Sequence, residues 1–279
     1  DLVKSTIVLQ IFLSSISLIV FYRINLNFFS KNISFLSTLI FSFFPLHIYS
    51  SLQISSITLQ IFLNLIFIFC VLEILKNNNN LSNYIVLGIT SGLSILLRGE
   101  FVLIFLLTLI YLKLFLKIDY KKFIISFLVL LTIISPYLVR NYVVFEKITV
   151  TKSFGYNLWK GNNVDSNIEG SESNLAFNTG EIKVKINELK KDNMYDFNYD
   201  KIFFENSIKF IIDDPNLFLI RYVKKFLAFT FFNHESVYKN YYHPLNIFPL
   251  IFLSITFLIG IILGIKKKEI KCNYLIFNL

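Results

Sequence analysis

Between Phe123 and Ile134, and again between Ile247 and Ile265, the chain carries no charged residue and no polar stripe. A helix packed on a soluble core keeps a polar face at a 3.6-residue period, and these runs keep none. Five more apolar stretches lie upstream of Phe123. Such stretches run roughly 14 to 20 residues, near the length needed to cross a hydrocarbon core of about 30 Å. A hydrophobic share of 55% and a mean hydropathy of +0.63 agree. The expected fold is therefore an all-α, polytopic transmembrane bundle of about seven spans. A soluble all-α core is the rival that hydropathy rejects.

The expected spans are Ser5–Tyr22, Ile33–Ser50 (broken near Pro45), Ile57–Leu75, two within Tyr84–Phe115, Phe123–Val139 and Ile247–Ile265. As one helix, Tyr84–Phe115 would be about 48 Å long, too long for one crossing. Arg98-Gly99-Glu100 divides it at a polar hairpin. The chain divides into 1–145 with about six spans, a long polar loop over 146–246, and 247–279 with a span, a basic turn and the start of another span. Within the loop, Glu181–Asp213 reads as helix and Asp213-Asp214-Pro215 as its end or the next cap. Leu217–Phe232 is apolar with a basic stripe, the pattern of an interfacial helix or a buried one. The absence of methionine at Asp1 and the apolar run CNYLIFNL at the end read as cut ends of a longer membrane protein.

Basic residues fix a direction. If Lys266, Lys267 and Lys268 are cytoplasmic, alternation gives the same side Arg23, Lys31, Lys76, Lys113, Lys117, Lys121 and Lys122. The long loop holds 13 basic and 13 acidic residues and falls outside. The net charge of +9 thus marks topology, and no nucleic-acid partner is expected. The three histidines, His47, His234 and His243, lack metal-ligand spacing. Cys70 and Cys272 sit at places too different to pair.

On the outer side fall His47, Arg98, Glu100, Arg140, Asn141 and the segment GYNLWKGNN at 155–163. A guanidinium offers a fixed fork of donors and a permanent charge, which suits a phosphate. Aromatic faces and amides at Tyr156, Asn157, Trp159 and Asn162 suit a sugar. Each has a plainer reading: arginines anchor the ends of spans, and tyrosine and tryptophan form interfacial belts.

Four stretches in this order, FPLHIYSS at 44–51, GITSGLSILLRGE at 88–100, SPYLVRNYVVF at 135–145 and GYNLWKGNN at 155–163, resemble the GT-C superfamily of membrane glycosyltransferases. A looser match is DDPNLFLIRYVKKFLAFTFF at 213–232. The likeness is to the branch holding family-39-like proteins, protein O-mannosyltransferases and the lipid A aminoarabinose transferase. Departures are SSIT at 55–58, where the family often has Ser-Glu, and Gly99, where it often has proline.

The resemblance implies transfer of a sugar from a polyprenyl-phosphate donor to a lipid, glycan or protein acceptor. The setting it implies is the outer face of a bacterial inner membrane. Arg98 and Arg140 would hold the donor phosphate, Glu100 would orient Arg98, and Asn141 would add a hydrogen bond. Tyr156, Asn157, Trp159 and Asn162 would shape the sugar or acceptor pocket. The family's catalytic aspartate is expected upstream of Asp1, so no catalytic residue is named. No cofactor is established by it, and a divalent metal ion is left open. The alternatives are a transporter or flippase of lipid-linked sugars, and an O-antigen ligase or polymerase.

Overall fold

The structure is a computed structural model describing residues 2–116, 119–163, 166–169, 181–236 and 238–267. The basic markers Lys117 and Lys268, as well as Cys272 and the last apolar run, lie outside these residues. Among the described residues every regular element is a helix. The chain forms two compact units, one of Asp1–Tyr137 with Thr256–Leu279, the other of Leu138–Ile255.

Among the described residues four helices are long and apolar enough to cross a membrane: α1 (Leu2–Asn25), α4 (Ile57–Lys76), α7 (Tyr120–Phe145) and α12 (Pro244–Lys267). The expected second span is two helices, α2 (Lys31–Ser42) and α3 (Pro45–Leu52), bent by 52°. Pro45 opens α3 because it has no N–H to give, and it pushes Phe44 into an extended conformation (ψ 119°). The 84–115 stretch divides as expected, into α5 (Leu81–Leu97) and α6 (Phe101–Leu116). Arg98 breaks the helix with extended backbone at φ −146° and ψ 109°. At 17 and 16 residues, these two helices are about 25 Å long, shorter than a typical bilayer core.

In the first unit α1 packs on α2, α3 and α4, and α4 packs on α5. With α4 packed between α1 and α5, Phe67, Leu72, Ile74, Tyr84 and Leu87 are buried, and Phe67 meets Phe101 edge-on at 5.0 Å. Gly88 and Gly92 let α5 lie directly on α7. A Cβ at Gly88 would come within 2.5 Å of the Ser126 carbonyl, and one at Gly92 within 2.8 Å of Ile133. This is the small-xxx-small packing that membrane helices use for close approach. Ser126 Oγ adds a hydrogen bond to the Tyr84 carbonyl at 2.7 Å.

The expected span at Phe123–Val139 is longer than anticipated. Helix α7 continues through Pro136 to Phe145, so Arg140 and Asn141 lie within a helix rather than after one. Proline leaves the carbonyl four residues back without a donor. Here that carbonyl belongs to Thr132, and Ser135 Oγ donates to it at 3.1 Å. The local remedy lets the helix run on.

The second unit holds α8 (Phe154–Gly161), α9 (Glu181–Asn187), α10 (Tyr195–Asp213) and α11 (Pro215–Thr230). Glu181–Asp213 is thus two helices. Asp192 starts α10 afresh, its carboxylate accepting from Met194 N–H at 2.8 Å and its carbonyl from Tyr195 N–H at 3.1 Å. Asp214 both follows α10 and caps α11, accepting from Leu217 N–H at 2.9 Å, with Pro215 in the first turn.

Candidate functional site

Helix α8 is the GYNLWKGNN segment, and the fold holds it at both ends. At its start the Asp200 carboxylate accepts from Gly155 N–H at 2.9 Å and from Tyr156 N–H at 2.8 Å. At its end Lys225 donates to the Gly161 carbonyl and Arg221 to the Asn163 carbonyl, each at 2.6 Å. Acid at the N-terminus and bases at the C-terminus complement the helix dipole. Burial, and secondarily the nearby Arg221 guanidinium, lowers the pKa of Lys225. Gly155 allows the fit, since a Cβ there would lie 2.3 Å from the Asp200 carbonyl.

This framing decides what the expected sugar-binding residues touch. Trp159 is buried against Phe203, with ring centroids 4.9 Å apart. Tyr156 is half-buried, edge-on to the same Phe203 ring at 5.3 Å. Asn162 is buried and donates to the Leu158 carbonyl at 2.8 Å, closing the helix. Asn157 faces outward, with Ser153 Oγ at 3.4 Å. Tyr156 and Asn157 therefore retain accessible surface, whereas Trp159 and Asn162 serve the packing and capping of α8.

Arg140 is exposed and points one guanidinium nitrogen at Asn141 Oδ1, 2.9 Å away. Asn141 is only 1% exposed and donates in turn to the Thr149 carbonyl at 2.7 Å. The guanidinium carbon lies 5.3 Å from the centroid of Phe145, so an aromatic face and an amide together aim the group. Among the described residues no carboxylate pairs with Arg140. The Phe145 ring also carries Lys152 Nζ at 3.7 Å, and Lys152 is itself paired with Asp196 at 3.2 Å.

A shallow groove of about 540 Å³ opens beside Phe145, lined by Lys191, Asp192, Asn193, Tyr195 and Asp196. None of its polar residues was singled out from sequence. The interleaving of acid, amide and aromatic groups in KKDNMYDFNYD at 190–200 was the available signal.

Arg98 and Glu100 belong to the first unit, where they pair across the α5–α6 turn at 3.6 Å, both exposed. Arg140 and Asn141 belong to the second. Glu100 thus does meet Arg98, and Asn141 meets Arg140. Among the described residues no three His, Cys, Asp or Glu side chains gather as a metal site. No protein-family model, no characterised protein and no solved structure matches this chain.

Proposed function

We propose that this protein works as a membrane glycosyltransferase, taking a sugar from a polyprenyl-phosphate carrier outside the cytoplasm and passing it to a lipid, glycan or protein acceptor. One observation carries the reading: the guanidinium of Arg140, on a span-length helix, is aimed by a buried amide and has no carboxylate partner among the described residues. A fixed, oriented cation at such a place suits the phosphate of a lipid carrier.

In this reading the bond between the anomeric carbon and the phosphate oxygen breaks, and negative charge grows on the departing carrier. Arg140 stabilises that charge without having to reorganise, because Asn141 already orients it. The groove beside Phe145 takes the sugar or the acceptor, with the ring of Tyr195 and the amide of Asn193 as its contacts. Tyr156 and Asn157 extend this polar and aromatic surface along α8. Trp159 and Asn162 keep α8 in place. Arg98 with Glu100 is a second anion-binding candidate in its own unit. The base that accepts the acceptor's proton is assigned to none of these residues.

A second reading, passage of a lipid-linked sugar across the bilayer, is favoured by a polar seam in the first unit. Gln10 donates to the Ser55 carbonyl at 2.7 Å, and Ser14 bonds His47 Nε2 at 2.9 Å. Gln10 Oε1 and His47 Nδ1 are buried with no partner among the described residues.

The test is turnover of a labelled polyprenyl-phosphate sugar by the natural full-length protein in proteoliposomes. Arg140→Ala should lower transfer by about 100-fold or more, the usual cost of a preorganised charge-stabilising donor. Transfer near the wild-type rate in that variant overturns the assignment of Arg140. Movement of intact donor without bond cleavage overturns the transferase reading and favours the second.

A further inference from the structure

Helix α11 is amphipathic with its polarity reversed. The residues it turns inward include both Arg221 and Lys225, which are spent on the carbonyls at the end of α8. Arg221 also donates to Ser166 Oγ at 2.9 Å and lies 5.2 Å from the Phe210 ring. The opposite face is apolar. On it Leu219, Val223 and Phe226 are each more than half exposed, and at its edge Tyr222 and Phe229, about 80–100° round from Arg221, are exposed as well. At 100° per residue, Leu219, Val223 and Phe226 fall within a narrow arc about 180° from Arg221. No residue of the helix is buried. A water-facing helix has the opposite design, with charges outward and apolar groups inward.

What covers this face is indicated by where α11 ends. Ser254 of α12 shares its hydroxyl between the Leu250 carbonyl at 2.8 Å and the Phe231 carbonyl at 3.3 Å, one residue past the end of α11. Ser254 lies seven residues into the apolar run that starts at Ile247, a depth of about 10 Å at 1.5 Å per residue. The run belongs to a helix long and apolar enough to cross a membrane. The end of α11 is therefore level with the acyl chains rather than with bulk water. A backbone carbonyl at that depth needs a protein donor, and Ser254 supplies one.

We propose that the Leu219–Val223–Phe226 face of α11 is a lipid-contact surface, seated in the bilayer continuously with the lipid-facing side of α12. The inference rests on the membrane reading of α12 and not on the transferase reading. Its occupant is the acyl layer, since the face carries no charge that would call for a polar partner. Lys224, on the flank of the face and exposed, reaches the headgroups by extending its ammonium along the surface. The basic residues turned inward hold α8, so the same helix anchors the unit to the membrane and positions the GYNLWKGNN segment.

The experiment is fluorescence quenching on the full chain in liposomes. Phe226→Trp adds a second indole to Trp159, which is buried against Phe203 and acts as reference. Lipids brominated on their acyl chains should remove most of the added emission. Retention of that emission overturns the proposal. In that case quenching by aqueous iodide assigns the face to water, while quenching by neither agent assigns it to protein, whether a second copy or another part of this chain. Tyr222→Trp, one turn earlier, repeats the measurement should the first variant fold poorly.

Discussion

Asp200 shows how one side chain sets the geometry of the candidate site. Its two oxygens accept from consecutive N–H groups at the start of α8, where unpaired donors and the helix dipole both favour negative charge. Asp200→Ala strands both donors beside a close helix contact. The expected cost is about 0.5 to 2 kcal/mol, the range for losing an N-cap. Hydrogen exchange should show it as faster exchange at Gly155 and Tyr156, with little change across α4. Unchanged protection at those amides would mean that packing on Phe203 alone holds α8. The sequence offered no sign of this partnership, because Asp200 is 44 and 45 residues from the groups it binds. Arg140 and Glu100 were legible because their partners, Asn141 and Arg98, are one and two positions away. Trp159 was misleading for a related reason. Its place in a polar, aromatic stretch suggested exposure, and only α10 reveals that it points inward.

At the scale of elements, the close approach of α5 and α7 depends on two glycines one helical turn apart. Gly88 and Gly92 both lie in GITSGLSILLRGE, where the likeness to a family draws attention to the stretch and not to the four-residue spacing of its glycines. Without a hydrophobic drive between helices in lipid, such contacts depend on close packing and hydrogen bonds. Gly88→Leu forces a side chain against the Ser126 carbonyl and Val129, where no flexible group can move aside. The variant should lose the α5–α7 seam and unfold in detergent at a markedly lower temperature, read by thermal-shift or size-exclusion profiles. Gly99→Ala is the matched control, with no atom within 4 Å of the added methyl, and should match the wild type. Equal behaviour of the two variants would sink the packing role. The break at Arg98 was predictable from length, since one helix could not fit the bilayer. The continuation of α7 through Pro136 was not, because proline alone signals a stop and the hydroxyl of Ser135 cancels it.

For the whole molecule, the apolar pattern determines which helices can enter the membrane, and the connections determine the order of sides. Helices α1, α4, α7 and α12 have the length to cross. The division at Arg98 raises a sharper question, because α5 and α6 are 17 and 16 residues long. Their apolar composition and the basic residues at 113–122 favour two crossings joined at an outer turn, with a locally thinned bilayer meeting the shorter helices. Single cysteines at Asn77, Gly99 and Lys190, with Cys70 and Cys272 replaced by alanine, test this with a membrane-impermeant maleimide on sealed, oriented vesicles. All three parent residues are at least partly exposed, and Gly99 has open space around it. Two crossings predict that Gly99→Cys and Lys190→Cys label from one side and Asn77→Cys from the other. Labelling of Gly99→Cys together with Asn77→Cys would make α5 and α6 a re-entrant pair. Arg98 and Glu100 would then lie on the side opposite Lys190, and their candidacy for an extracytoplasmic phosphate would end.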